Sequence, residues 1–252
     1  MNQTAIVFVH KGNHSYFDLV VKYTRQSNKD SNIVILGDET NECVALKYNC
    51  QHEMYEKYLE SWEYKHISVN TVEYEKFCFE RWIIIKNWLL NHTEVQHVVY
   101  SDSDNILLQD ISLINDEMKT YDVLSFIESV VVPNILIIKR DVMINLGNKI
   151  IEFYKKPFKE IQEFVYDKVN NHSHFSDMYL LFIIVSSEIS SENIYHLENN
   201  ERFTFNSNIN NIVNILKVVY NEFYVNDKLL FNIHFCHKNK ESIQETMKLV
   251  NL

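Results

Sequence analysis

Three short stretches restrict the fold more than any other feature: TAIVFV (Thr4–Val9), NIVIL (Asn32–Leu36) and QHVVY (Gln96–Tyr100). Each is dominated by apolar β-branched or aromatic residues, the pattern of a short strand buried on both faces. Between the first two, a KGN turn leads into Tyr16–Arg25, where Tyr16, Leu19, Val20 and Tyr23 share one helical face. Gly37-Asp38 ends the second strand. This strand–helix–strand unit has the length needed for parallel pairing.

The same reading extends along the chain. Cys43–Leu59 is less regular and suggests a short element and a helix, and Lys65–Val69 is expected as a third strand. Asn70 and Glu73 have the spacing of a capping box opening a helix to about Asn91, with Cys78, Trp82, Ile85 and Leu89 as its buried stripe. Further strands are expected at Tyr121–Ile127, Asn134–Lys139, Phe203–Asn206 and Phe231–Phe235. Helices are expected from a cap at Asp141 to about Tyr154, over Phe158–Val169, and after a cap at Ser176. Alternating helices and buried strands predict an α/β fold with a mainly parallel central sheet. With 252 residues and no repeat or linker, one domain is expected over 1–252.

Composition removes several functions. A net charge of −10 disfavours a surface that grips phosphate backbones. No stretch approaches the roughly 20 apolar residues of a spanning helix. The start MNQTAIVFVHKG lacks the basic opening of a secretory signal and reads as the first strand. Cys43, Cys50, Cys78 and Cys236 match no zinc or CxxC spacing, so reduced, mostly buried thiols in a cytoplasmic protein are expected. Three glycines are too few for a Walker loop or a dinucleotide fingerprint. Phosphate chemistry here therefore falls to a metal and side chains.

The chemistry concentrates in Val98-Val-Tyr-Ser-Asp102-Ser103-Asp104-Asn-Ile-Leu-Leu. Two carboxylates follow directly on a buried strand, and in open α/β sheets the ligand crevice lies at the carboxyl ends of the strands. Paired carboxylates repel, and a divalent cation relieves that repulsion. Oxygen ligands suit Mg²⁺ or Mn²⁺, which bridges readily to a diphosphate. The other reading is a solvated turn in which Asp is a turn former.

The string YSDSDNILL resembles the Asp-x-Asp signature of GT-A glycosyltransferases. FERWIIIKNWLLNH before it is similar to the aromatic–Arg–Trp helix of those enzymes, and NIHFCHKNK resembles their late HF-x-G-x-x-K segment. The resemblance implies a GT-A-type three-layer α/β sandwich, donor-binding over about 1–110 and acceptor-facing over about 111–252. It implies transfer of a sugar from a nucleotide-sugar donor, by default a UDP-sugar, to a glycan or other hydroxyl acceptor. It further implies Asp102 on the donor ribose and the metal, Ser103 beside it, Asp104 and His234 as metal ligands to Mn²⁺ or Mg²⁺, and Lys240 on the diphosphate. Cys236 stands where the family has glycine, so His237 or Lys238 is a candidate for part of that role.

Other candidates carry a structural alternative each. His10 and Lys11 end the first strand, where the family places nucleotide base and ribose. Asp38 is either a nucleotide contact or a Gly-Asp turn. Arg81 either reaches the donor or pairs on the surface with Glu75 or Glu80. Asp177, in Ser176-Asp177-Met178, is a candidate general base if the enzyme inverts, or a first-turn acid behind a Ser cap. Asn134, Asn206 and Asn208 are candidate sugar contacts or ordinary loop asparagines. A non-catalytic nucleotide-sugar-binding module is the main competing function. A haloacid-dehalogenase-like phosphatase is the less favoured one, because its Asp-x-Asp normally lies near the N-terminus.

Overall fold

The computed structural model describes residues 3–127, 131–168, 175–205, 216–219, 222–235, 240 and 243–248. Its centre is a seven-stranded sheet in the order β3-β2-β1-β4-β7-β6-β8. The strands are β1 (Thr4–Val9), β2 (Asn32–Gly37), β3 (Gln51–Met54), β4 (His97–Ser101), β6 (Val123–Ile127), β7 (Val131–Lys139) and β8 (Ile194–His196). The first four are mutually parallel, β7 runs against both its neighbours, and β8 is parallel to β6. The mainly parallel α/β expectation is met.

Side-chain alternation on the buried strands builds two cores. Ala5, Val7 and Val9 of β1, with Val98 and Tyr100 of β4, face one core. That core is closed by the helices α3 (Val72–Asn91), α5 (Arg140–Lys155), α6 (Phe158–Lys168) and α7 (Asp177–Glu188). Ile6, Phe8 and Val99 face the other, against α1 (Ser15–Ser27) and a second sheet. A strand's period of two explains why uniformly apolar runs were needed: both faces of β1 and β4 are covered.

The second sheet runs β10-β11-β12-β5, with β9 (Phe203–Phe205) pairing β12. Its members are β5 (Asn105–Leu107), β10 (Leu216–Val219), β11 (Glu222–Val225) and β12 (Lys228–His234). The chain thus leaves the central sheet at β4, turns through Asp102–Asp104 and enters the second sheet as β5. There Asn105 lies opposite His234 and Leu107 opposite Asn232.

Several local expectations are corrected. The third parallel strand is Gln51–Met54, an edge strand with no apolar run. Lys65–Val69 forms no strand, although Ile67 packs against the core. Thr71, not Asn70, caps α3, its hydroxyl accepting Tyr74 N–H at 3.3 Å. Asn70 instead donates its side-chain amide to Glu75. Lys139 precedes α5, so Asp141 lies in its first turn rather than at the cap. Ser176 occupies the cap position of α7 without a side-chain cap bond. Among the described cysteines, Cys43 is exposed and Cys50 and Cys78 are half-buried, all free thiols. Cys236, His237, Lys238, Asn206 and Asn208 lie outside the described residues.

Candidate active site

A cavity of about 1030 Å³ opens at the carboxyl ends of β1 and β4, the adjacent strands from which the chain departs in opposite directions along the sheet. Such a switch point is where an open α/β sheet leaves a crevice. Its wall includes His10 and Lys11 after β1, Asp102, Ser103 and Asp104 after β4, and His234 and Lys240 from the β12 side.

The alternation of β4 positions the first carboxylate. Tyr100 and Asp102 are two residues apart and point toward α3. Asp102 Oδ1 accepts Tyr100 Oη–H at 2.5 Å and Arg81 Nη1 at 2.7 Å. The backbone is pinned as well, since Asp102 N–H donates to Asn134 O at 3.0 Å. Burial pushes the Asp102 carboxyl up, against the pull of the nearby Arg81 guanidinium.

Asp104 is fixed by the seam between β5 and β12. Phe235 N–H donates to Asp104 O at 2.8 Å, which brings His234 Nε2 to 3.0 Å from Asp104 Oδ1. Lys240 Nζ lies 2.9 Å from Asp104 Oδ2. Burial opposes ionisation here too, but His234 and Lys240 outweigh it and hold the Asp104 pKa below the ordinary value. Ligand atoms of Asp102, Asp104 and His234 all lie within 4.8 Å of one another. Two carboxylates and one imidazole converging on a cavity at that spacing form a donor set that suits a divalent cation.

Arg81 is not a surface residue. Its Nη2 lies 2.6 Å from Asp177 Oδ2 while Nη1 serves Tyr100 Oη at 2.8 Å and Asp102. Burial works against the guanidinium, but Asp177, Tyr100 and Asp102 around it hold its pKa above the usual value. The expected surface partners are engaged elsewhere: Glu75 binds Ser68 and Asn70, and Glu80 pairs with Lys76 at 3.2 Å. Arg81 Nε is buried and has no hydrogen-bond partner among the described residues.

Asp177 is only 3% exposed, and its Oδ2 also accepts Trp82 Nε1–H at 2.9 Å. Its neighbour Met178, not Asp177, lines the cavity. A general base must reach the acceptor hydroxyl. This carboxylate is instead committed to Arg81 and Trp82, so the proton-acceptor expectation finds no support in the arrangement. Asp38 also departs from the nucleotide-contact expectation. Its Oδ2 accepts Gly12 N–H at 2.6 Å and its Oδ1 accepts Thr40 N–H at 3.0 Å, which ties the β1–α1 loop to the end of β2. Gly12 sits there at φ +89°, a conformation suited to glycine. Asn134 is buried in β7, where it supports the Asp102 backbone rather than lining the cavity.

Sequence reasoning passed over several wall residues. Tyr74 and Cys78 share the cavity-facing side of α3 with the expected Arg81, at i, i+4, i+7 spacing, a signal readable from helical period. Cys78 is pushed up to about 12 by burial, which keeps it a thiol. Tyr16 and His14 flank His10, whose ring stacks on Phe17 with centroids 4.0 Å apart.

No protein-family model and no curated protein sequence matches the chain. Solved structures do. A glycosyltransferase involved in glycosylation of the major capsid of PBCV-1 is 12% identical, with TM-score 0.50 over 98% of both chains. The galactosyltransferase LgtC, in complex with donor and acceptor sugar analogs, is 12% identical with TM-score 0.51 over 98% of this chain and 95% of that one. Mouse xyloside xylosyltransferase 1 is 9% identical with TM-score 0.51, covering 80% and 87%. At such identities the likeness is one of fold: this chain has the GT-A fold of these glycosyltransferases.

Proposed function

We propose that the protein is a metal-dependent glycosyltransferase that moves a sugar from a nucleotide-sugar, by expectation a UDP-sugar, to a hydroxyl acceptor such as a glycan. The observation that carries this reading is the convergence of Asp102, Asp104 and His234 on the switch-point cavity of a GT-A fold. A divalent cation bound there, Mn²⁺ or Mg²⁺, supplies charge neutralisation for the departing nucleoside diphosphate. His10 and Lys11 border the nucleotide end of the cavity, and Lys240 reaches the same floor for the diphosphate. Arg81 orients Asp102 and opposes the effect of burial on its carboxyl. Asp177 fixes Arg81 in turn, which makes Asp177 a positioning residue. The remaining volume, toward Tyr74 and Met178, suits the acceptor.

The test is release of UDP from UDP-sugars with and without Mn²⁺, followed by transfer to an added glycan. Metal-dependent release supports the transferase. Binding without release indicates a nucleotide-sugar-binding module, and turnover of a phosphomonoester indicates a phosphatase. Asp104→Asn is expected to abolish metal-dependent release while the fold survives, because the variant removes a ligand charge and keeps the side-chain shape. Full activity in that variant would remove Asp104 from the metal site.

A further inference from the structure

Lys240 occupies a singular position on the cavity floor. Its Nζ is 2.9 Å from Asp104 Oδ2 and 4.5 Å from the centroid of the Tyr16 ring. The opposite oxygen of Asp104 faces His234 Nε2 at 3.0 Å. Both oxygens of the central carboxylate are therefore engaged by nitrogen donors from the β12 side. A cation entering between Asp102, Asp104 and His234 must share Asp104 with an ammonium already on it.

An ammonium is a compact charge on a flexible stem, able to move between acceptors. The Lys240 side chain is 30% exposed, so it can leave Asp104 without disturbing the core. The face of Tyr16 gives it a second attractive surface beside His10 and Lys11, where a cation–π contact costs the side chain little reach. A diphosphate laid across that part of the floor would offer it more negative oxygen than one carboxylate does.

Building on the transferase reading, we propose that Lys240 is a tethered counter-cation for the metal site. It neutralises Asp104 until a nucleoside diphosphate draws it away, so that metal ion and diphosphate bind as a coupled pair. Coupling of this kind is reciprocal: whatever factor the nucleotide contributes to metal affinity, the metal returns to nucleotide affinity.

The experiment is a titration of Mn²⁺ into the full chain, free ion followed by its electron paramagnetic resonance signal, with and without UDP. The parent protein is expected to bind Mn²⁺ roughly tenfold more tightly with UDP than without, about 1.4 kcal/mol of coupling. Lys240→Met is expected to bind Mn²⁺ alone several-fold more tightly than the parent and to gain less from UDP. Lys240→Arg keeps the charge and should bind Mn²⁺ alone as weakly as the parent. A merely structural lysine would not tighten metal binding when removed; should Lys240→Met misfold, Lys240→Gln makes the same comparison. If the neutral variant binds Mn²⁺ no better than a parent that still takes Mn²⁺ with UDP, the counter-cation role is wrong and the transferase reading stands. If the parent and the variants bind no Mn²⁺ with or without UDP, both fall.

Discussion

Asn232 and Asn105 join side chain to side chain across the seam of β12 and β5, Nδ2 of the first donating to Oδ1 of the second at 2.7 Å. They are diagonal neighbours on one face of the antiparallel pair, both fully buried. Asn105 Nδ2 in turn donates to Ser101 Oγ at 2.9 Å. This chain of bonds joins the last residue of β4 to the strand that ends in His234. Asn105→Ala would leave buried donors and acceptors unmatched, at a cost of about 1–3 kcal/mol each. Urea denaturation should show that loss, and Mn²⁺ affinity should fall with it. Unchanged stability would mean that the seam is held by its backbone ladder alone.

Arg81 compensates two carboxylates at once, the buried Asp177 and the half-buried Asp102. Removing one partner of a buried ion pair costs about 3–5 kcal/mol, so Arg81→Met should be strongly destabilised in equilibrium unfolding. Arg81→Lys should recover only part of this, because one ammonium cannot span Tyr100, Asp102 and Asp177 in the geometry of the guanidinium fork.

Asp177→Asn keeps an acceptor for Trp82 and loses the charge facing Arg81. Mn²⁺-dependent UDP binding and transfer should fall together as Arg81 and Asp102 lose their alignment. Isothermal titration beside a transfer assay follows both. Full transfer activity would deny Asp177 a positioning role.

His10 sits neutral in the fold: burial, then His14, takes its pKa from 6.5 down to about 3. His97 is shifted the same way by burial and Lys139. Between about pH 3 and 6.5 the unfolded chain binds a proton at His10 that the folded chain does not, so stability rises with pH through that window and levels off above it. At pH 5 the His10 contribution is a loss of about 2 kcal/mol relative to pH 7. Melting curves from pH 5 to 7 should show the rise, and His10→Phe should flatten most of it.

Gly147 of α5 lies against Lys86 of α3, where an added Cβ would meet Lys86 Cβ at 2.7 Å. The contact is with the root of a side chain on a packed helix, so it cannot be relieved by moving a flexible tip. Gly147→Ala should therefore destabilise the protein by about 1–3 kcal/mol, against the usual gain of alanine in a helix. A higher melting temperature for the variant would show that α3 and α5 can separate there.

How much of this could be read in the amino-acid order depends on where the interactions lie along it. β1, β2 and β4 were legible because strands covered on both faces need apolar residues at every position, and the Asp-x-Asp turn inherits its place from β4. β3 was not: Gln51–Met54 is an exposed edge, so its residues answer to solvent on one side, while the more apolar Lys65–Val69 packs Ile67 against the core and makes a single bridge at Ser68 rather than a strand. The capping of α3 by Thr71 rather than Asn70 turned on Glu75, buried one turn inside the helix, which engages the Asn70 amide. Asp104 and His234 were paired through a family resemblance, and the β5–β12 register supplies the physical reason. The partners of Arg81 were out of reach, since Asp177 is distant in the chain and local periodicity says nothing about which carboxylate a guanidinium meets.

Because the chain crosses from one sheet to the other at Asp102–Asp104, the site is divided between early and late parts of the polypeptide. A growing chain that has passed β4 and its turn possesses the two aspartates but neither of the nitrogen donors that engage Asp104. Only when β12 docks antiparallel on β5 do His234 and Lys240 arrive. An ion held by all three ligands would thus act as a clasp on a very long loop, fastening the final lap of the fold to its first half.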